Sequence, residues 1–407
     1  MMVKRKKYLL FPKLHLKHLL FLFFFIVVCM KKGVQIYFEQ NQRIAIEFLK
    51  LYMYDIGDMF TIIPYLIVKK RIKNLINDKS ENINDSNMEY IYRPEANPYD
   101  RPAFKNVFIL TIVDFIAQIS PVIYYVVKGE QKTDINLGKL NSVLIFNIFA
   151  IMVFSIFILH TKFYKHHLFA ILIDIFCLII LTILDLKNII GSGDNVTMPI
   201  IYIFVRIFSV ILYSFENVLA KIIFLYNYMP TYTLLLNKSI FQFFYLVLFS
   251  FPFIFIKLDD KDGESRLIFS MIADIFKDKI YIYIVIVYTI ISFFSNNLYL
   301  KIIDVFSPNH FVISRIFEFF GIFIIDLIVY GPDKEEYLIV KIILFILLII
   351  SAFIYNEFLV INICGLSKNT KLFLDYEAEN EILLNKDNEN EEQNIGVIED
   401  TDDHDNN

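Results

Sequence analysis

Ionisable side chains embedded in long apolar runs are the residues of this sequence most able to do chemistry. The run FVISRIFEFFGIFIIDLIVY, residues 311–330, holds Arg315, Glu318 and Asp326. Arg315 and Glu318 are three apart, so on a helix they share a face, and Asp326 falls near the same face. Two chemistries fit that stripe. Arg315 could bind an anionic group, or Glu318 could take a proton or cation. An internal Arg–Glu pair that only sets helix register is the alternative. Further candidates for a polar pathway are Arg206, Asp114, Lys238 and Asn297. Lys238 is also long enough to snorkel out of an apolar layer. Glu216 and Lys221, five apart, read as a gate or helix pair. Asp55 and Asp58 share a face that reads as wet, Asn296 and Asn297 read as polar glue between helices, and Asp174 has no assigned role.

The elements that must position these groups are set by composition. Of 407 residues, 57% are apolar and 20% charged. The apolar residues are gathered into runs of about twenty, the length that spans a ~30 Å hydrocarbon layer as a helix. Charge at that depth costs about 2.5–3.5 kcal/mol per residue on insertion scales, so it belongs on an interior or water-lined face. The expected fold is an all-α membrane protein with ten transmembrane helices. They fall near 18–38, 44–68, 104–127, 140–159, 166–186, 198–223, 231–256, 279–302, 308–330 and 338–361. A cleaved signal peptide is the rival for the first. With the Gly-rich turn Gly191–Ser192–Gly193 as divider, segments 18–190 and 191–371 are two five-helix repeats. Five is odd, so the repeats are inverted, a plan that places a site at mid-depth between them. Trp is absent, so interfacial aromatic belts fall to the 25 Tyr.

Charge orients the set. Residues 1–17 are basic, and so are the loops 69–103 and 160–167. Loops on the other side are neutral or acidic, so the basic side is cytosolic. The sequon at Asn195 lies on the non-cytosolic side and is a glycosylation candidate. An even helix count returns the tail, 372–407, to the cytosol. That tail carries 13 acids and one Lys, a composition that reads as disordered. Within it, Glu379 with Leu383 and Leu384 fits an acidic dileucine sorting signal, implying an adaptor partner and an endomembrane destination. The lipid bilayer is the other partner, and a homodimer is left open.

Nothing points to an enzyme, a cofactor or nucleic acid. There is no Gly-rich phosphate loop and no nucleophile triad. Cys29, Cys177 and Cys364 form no CxxC. His160, His166 and His167 have no acid or Cys beside them in sequence, so they read as a basic rim and no metal is expected.

Three stretches carry a resemblance. YKHHLFAILIDIFCLIIL (164–181) resembles the basic loop and fifth helix of the drug/metabolite transporter superfamily. FENVLAKIIF (215–224) resembles the end of its sixth helix, and YNEFLVINICGLSKNTK (355–371) the exit from its tenth. Asp114 falls where that group often has an acid. The chain is most similar to EamA-type and solute-carrier-35-like members, with nucleotide-sugar and chloroquine-resistance-type transporters as relatives. The resemblance implies a secondary carrier of a small polar metabolite working by alternating access, with helix nine bordering the cavity. Nucleotide-sugar signatures are not evident, which leaves the substrate class open. Arg206, Arg315 and Lys238 lean it towards an organic anion. The rival is a non-transporting membrane scaffold or trafficking protein acting through its acidic tail.

Overall fold

The computed structural model describes residues 19–31, 33–34, 43–79, 101–128, 142–161, 163–191, 197–255, 257–259, 265–331 and 337–359. The expected basic N-terminus, Asn195 and the Glu379–Leu384 motif lie outside them. Twelve α-helices run through the described residues: α1 (Leu19–Lys31), α2 (Arg43–Met59), α3 (Ile62–Lys79), α4 (Arg101–Lys128), α5 (Ser142–Phe157) and α6 (Lys165–Gly191). The rest are α7 (Thr197–Tyr226), α8 (Thr231–Ser250), α9 (Ile268–Ile275), α10 (Lys279–Val305), α11 (Pro308–Tyr330) and α12 (Leu338–Tyr355). A short antiparallel hairpin, β1 (Lys257–Asp259) with β2 (Ser265–Leu267), precedes the amphipathic α9.

Seven helical stretches are long and apolar enough to cross a membrane: Phe48–Arg71, Phe104–Tyr124, Lys165–Leu184, Ile203–Tyr226, Thr231–Ile254, Lys279–Val305 and Leu338–Tyr355. α1 and the apolar part of α5 are shorter, and α11 carries three charges. Exposure is inverted relative to a water-soluble protein. Phe157, Phe204, Ile328 and Ile339 are 74%, 68%, 77% and 74% exposed, while Asp55, Asp58, Asp114 and Glu216 are each exposed by 3% or less. Large apolar side chains outside and carboxyl groups inside define an all-α, multi-pass membrane protein.

The expected helix over 44–68 is broken in two. Pro64 has no N–H to give Phe60, and its ring crowds that carbonyl. The chain instead makes tight turns, Phe60 N to Gly57 O at 3.1 Å and Thr61 N to Asp58 O at 3.0 Å. The Thr61 hydroxyl donates to the same Asp58 carbonyl at 2.6 Å. α3 then continues to Lys79, well into the stretch expected as loop.

Small and polar side chains lock the helices. Ser209 donates to the Ala117 carbonyl at 2.6 Å, Ser214 to Asn147 Oδ1 at 2.8 Å, and Ser351 to the Ala170 carbonyl at 2.7 Å. Such bonds hold helices together where apolar packing gains little over lipid. At Gly57, a Cβ would stand 2.7 Å from the Thr289 carbonyl oxygen, so α2 meets α10 backbone to backbone.

α12 ends in a Schellman turn. Glu357 N donates to Ile354 O at 3.0 Å and Phe358 N to Phe353 O at 2.9 Å, with the Phe353 and Phe358 rings 5.9 Å apart. The left-handed position of that turn usually holds Gly, but here it is Glu357, at φ 59°.

Candidate functional site: a buried charge network between five helices

α2, α4, α7, α8 and α10 bring a set of polar side chains together in the interior. Its hub is Lys238 on α8, 2% exposed. Its ammonium is 2.8 Å from Asp114 Oδ2 on α4 and 2.7 Å from Glu216 Oε1 on α7. An ammonium between two carboxylates in a dry setting is stable only if the remaining lone pairs are also met. Neighbours one helical turn away add further donors. Gln242, four residues beyond Lys238, donates to Asp114, and Gln118, four beyond Asp114, donates to the same oxygen at 2.8 Å. Tyr299 of α10 donates to Glu216 Oε2 at 3.0 Å and also bonds Asn217.

A second arm joins α2 to α10. Asn296 Nδ2 donates to Asp58 Oδ1 at 2.6 Å. Asp55, one turn earlier, is within electrostatic reach of Asp58, Asp114 and Lys238. Asp55 Oδ1, Asp58 Oδ2 and Gln242 Oε1 are buried acceptors with no hydrogen-bond donor among the described residues. Two of these four carboxyl groups pair with Lys238, the other two lie within its electrostatic reach, and the charge of Lys31 also reaches Asp58. Carboxylates that these ammonium groups do not offset are costly to bury unless protons or cations offset them.

Asp114 and Lys238 from the sequence-based set meet here, and Glu216 joins them. Glu216 pairs with α8, while Lys221 donates to the carbonyls of Ile303 and Asp304 at 3.0 and 2.8 Å, capping the C-terminal end of α10. The two belong to different sites. Asn297 turns back on its own helix, bonding the Phe293 carbonyl at 2.8 Å, and its neighbour Asn296 is the one in the network. Arg206 is half-buried on α7, within electrostatic reach of Tyr213. Arg315 is half-buried on α11, a helix that supplies none of the network bonds named above. The side chains of Glu318 and Asp326 lie outside the described residues. Asp174 sits on the α6–α12 seam near Cys177, Ser351 and Tyr355.

Sequence reading passed over Gln118, Gln242, Asn217 and Tyr299. The i, i+4 spacing from Asp114 to Gln118 and from Lys238 to Gln242 was the signal that could have found the amides. The histidines differ more from expectation. Glu357, nearly two hundred residues further on, stands 3.1 Å from His166 Nε2, with His167 beside them.

No family model matches the chain, and no curated protein matches it. Among solved structures, 26 chains match. One, described only as "Crystal structure of protein", covers 83% of this chain and 96% of its own, at 11% identity and a TM-score of 0.48.

Proposed function

We propose that the protein is a secondary transmembrane carrier of a small polar solute, working by alternating access and driven by proton or cation uptake at the central network. The observation that carries this is the network itself: four buried carboxyl groups, two paired with Lys238 and two within its electrostatic reach, with three acceptor oxygens lacking a donor among the described residues. A site of that kind takes up positive charge and N–H or O–H donors. An organic cation, or a neutral polar solute moved with protons, fits it better than the organic anion suggested by Arg206, Arg315 and Lys238. Lys238 is already held by two carboxylates.

The same reading includes ten crossings in two inverted repeats, α1 to α6 and α7 to α12, with α2–α3 counted as one, the eight-residue α9 too short to cross, and both ends cytosolic. The packing supports it. α2 packs on α8, α5 on α11 and α6 on α12. The α4–α8 contact is answered by α2–α10, and α5–α6 by α11–α12. An exchange of halves maps these contacts onto one another, while the α10–α11 contact has no α4–α5 counterpart of like extent. It also interchanges the two polar arms, Asp114–Lys238 and Asn296–Asp58. The break after Met59 is the kind of helix interruption that lies next to substrate and ion sites in such carriers.

Thermal unfolding of the purified chain in detergent, against organic cations, amino acids, sugar phosphates and nucleotide sugars, tests the proposal. A ligand at 100 times its Kd stabilises by about 2.7 kcal/mol. A cationic or neutral polar class should stabilise wild type and lose its effect in Asp55→Asn and Glu216→Gln. A class that stabilises wild type and both variants equally would remove the network from the site.

A further inference from the structure

A second cluster lies away from that network, where the start of α6 meets the end of α12. His166 and His167 occupy the first turn of α6, both buried, with their rings 4.1 Å apart. Glu357 reaches them from beyond the last turn of α12. One ligand atom from each of the three lies within 4.8 Å of the others, and the His166 Nε2 to Glu357 Oε1 distance is 3.1 Å. Two imidazoles and a carboxylate are a common donor set for zinc, with a fourth position open. Ligands about 2.1 Å from a tetrahedral ion stand roughly 3.4 Å apart, so small rotations would close this group on one. His167 lies against Tyr355 at 4.5 Å, with the His310 ring 6.2 Å beyond it, so the rings are held in place by packing.

The backbone at Glu357 is the independent observation. Its position in the Schellman turn favours Gly, yet a Glu occupies it in the left-handed region at φ 59°. Backbone held in a sparsely populated region tends to occur where a side chain has a task. Here it brings the carboxylate to His166.

We infer that His166, His167 and Glu357 form a binding site for a divalent transition ion of the zinc class, which staples the start of α6 to the end of α12. Because the ligand atoms must be deprotonated to bind the ion, affinity falls as the pH is lowered. The staple joins the last helix of each proposed half. The donor set and its geometry do not depend on transport.

Untagged full-length protein in detergent, titrated with Co²⁺ and then competed with Zn²⁺, tests this through the visible absorption of tetrahedral cobalt. One saturable site displaced by Zn²⁺ is expected. Glu357→Gln and His167→Gln should each weaken it at least tenfold, and His160→Gln, in the loop before α6, should leave it as in wild type. Metal-free melting of each variant separates a lost ligand from a lost fold. No saturable binding by wild type overturns the site. So does binding that survives both ligand variants when they are folded.

Discussion

Lys238 shows how much can turn on one side chain. Replacing it with Met leaves Asp114 and Glu216 buried without their counter-ion. Breaking a buried pair in this way costs about 3–5 kcal/mol. Lys238→Met should therefore lower the melting temperature sharply. The triple variant that adds Asp114→Asn and Glu216→Gln should recover much of the loss, because it removes the stranded charges as well. A simple sum of the three single effects would show that the groups do not act as a unit. Glu357 gives a second comparison. Glu357→Gly and Glu357→Gln both lose the carboxylate beside His166, but only Gly relieves the left-handed backbone. Without metal, Gly should be the more stable of the two by about 1 kcal/mol, and equal melting temperatures would show that the turn is unstrained. At this scale the sequence identified charged residues better than it identified their partners. Asp114 and Lys238 stood out because charge in an apolar run is rare. That they meet, and that Glu357 meets His166, depends on tertiary packing across 124 and 191 positions.

At the scale of helices, the apolar runs were legible because their length matches a bilayer. Each expected segment overlaps a helix among the described residues. The break between α2 and α3 was readable in principle from Pro64, but the uninterrupted hydropathy around it masked the signal. The close approach at Gly57 was not readable, because it depends on which helix lies opposite. Gly57→Ala forces a Cβ against the Thr289 carbonyl, and overpacking of this kind costs about 1–3 kcal/mol. Since Asp58 is the next residue, the displaced helix should also open the Asp58–Asn296 bond. The expected result is a lower melting temperature together with loss of any ligand stabilisation that depends on Asp55. A variant as stable as wild type, with ligand response intact, would show that α2 and α10 are free to separate.

For the whole molecule, the inverted distribution of polarity was visible in composition, but the number of crossings was not settled by it. α1, α5 and α11 are either short or charged. The proposed ten crossings would place both ends of the chain on one side of the membrane. Small epitopes at the two ends should be digested together when protease is added to sealed vesicles of one orientation. Digestion of one with protection of the other would require an odd number of crossings and would remove the symmetric halves. The bare backbone contact between α2 and α10 has a mechanical consequence for such a molecule. At Gly57 the two helices touch through their backbones, with little side chain to interlock at that point. They can rock about that point as a see-saw does about its fulcrum. Any motion that exposes the acidic centre first to one side of the membrane and then to the other would pivot there, with Asp58 and Asn296 placed close to the fulcrum, where travel is least.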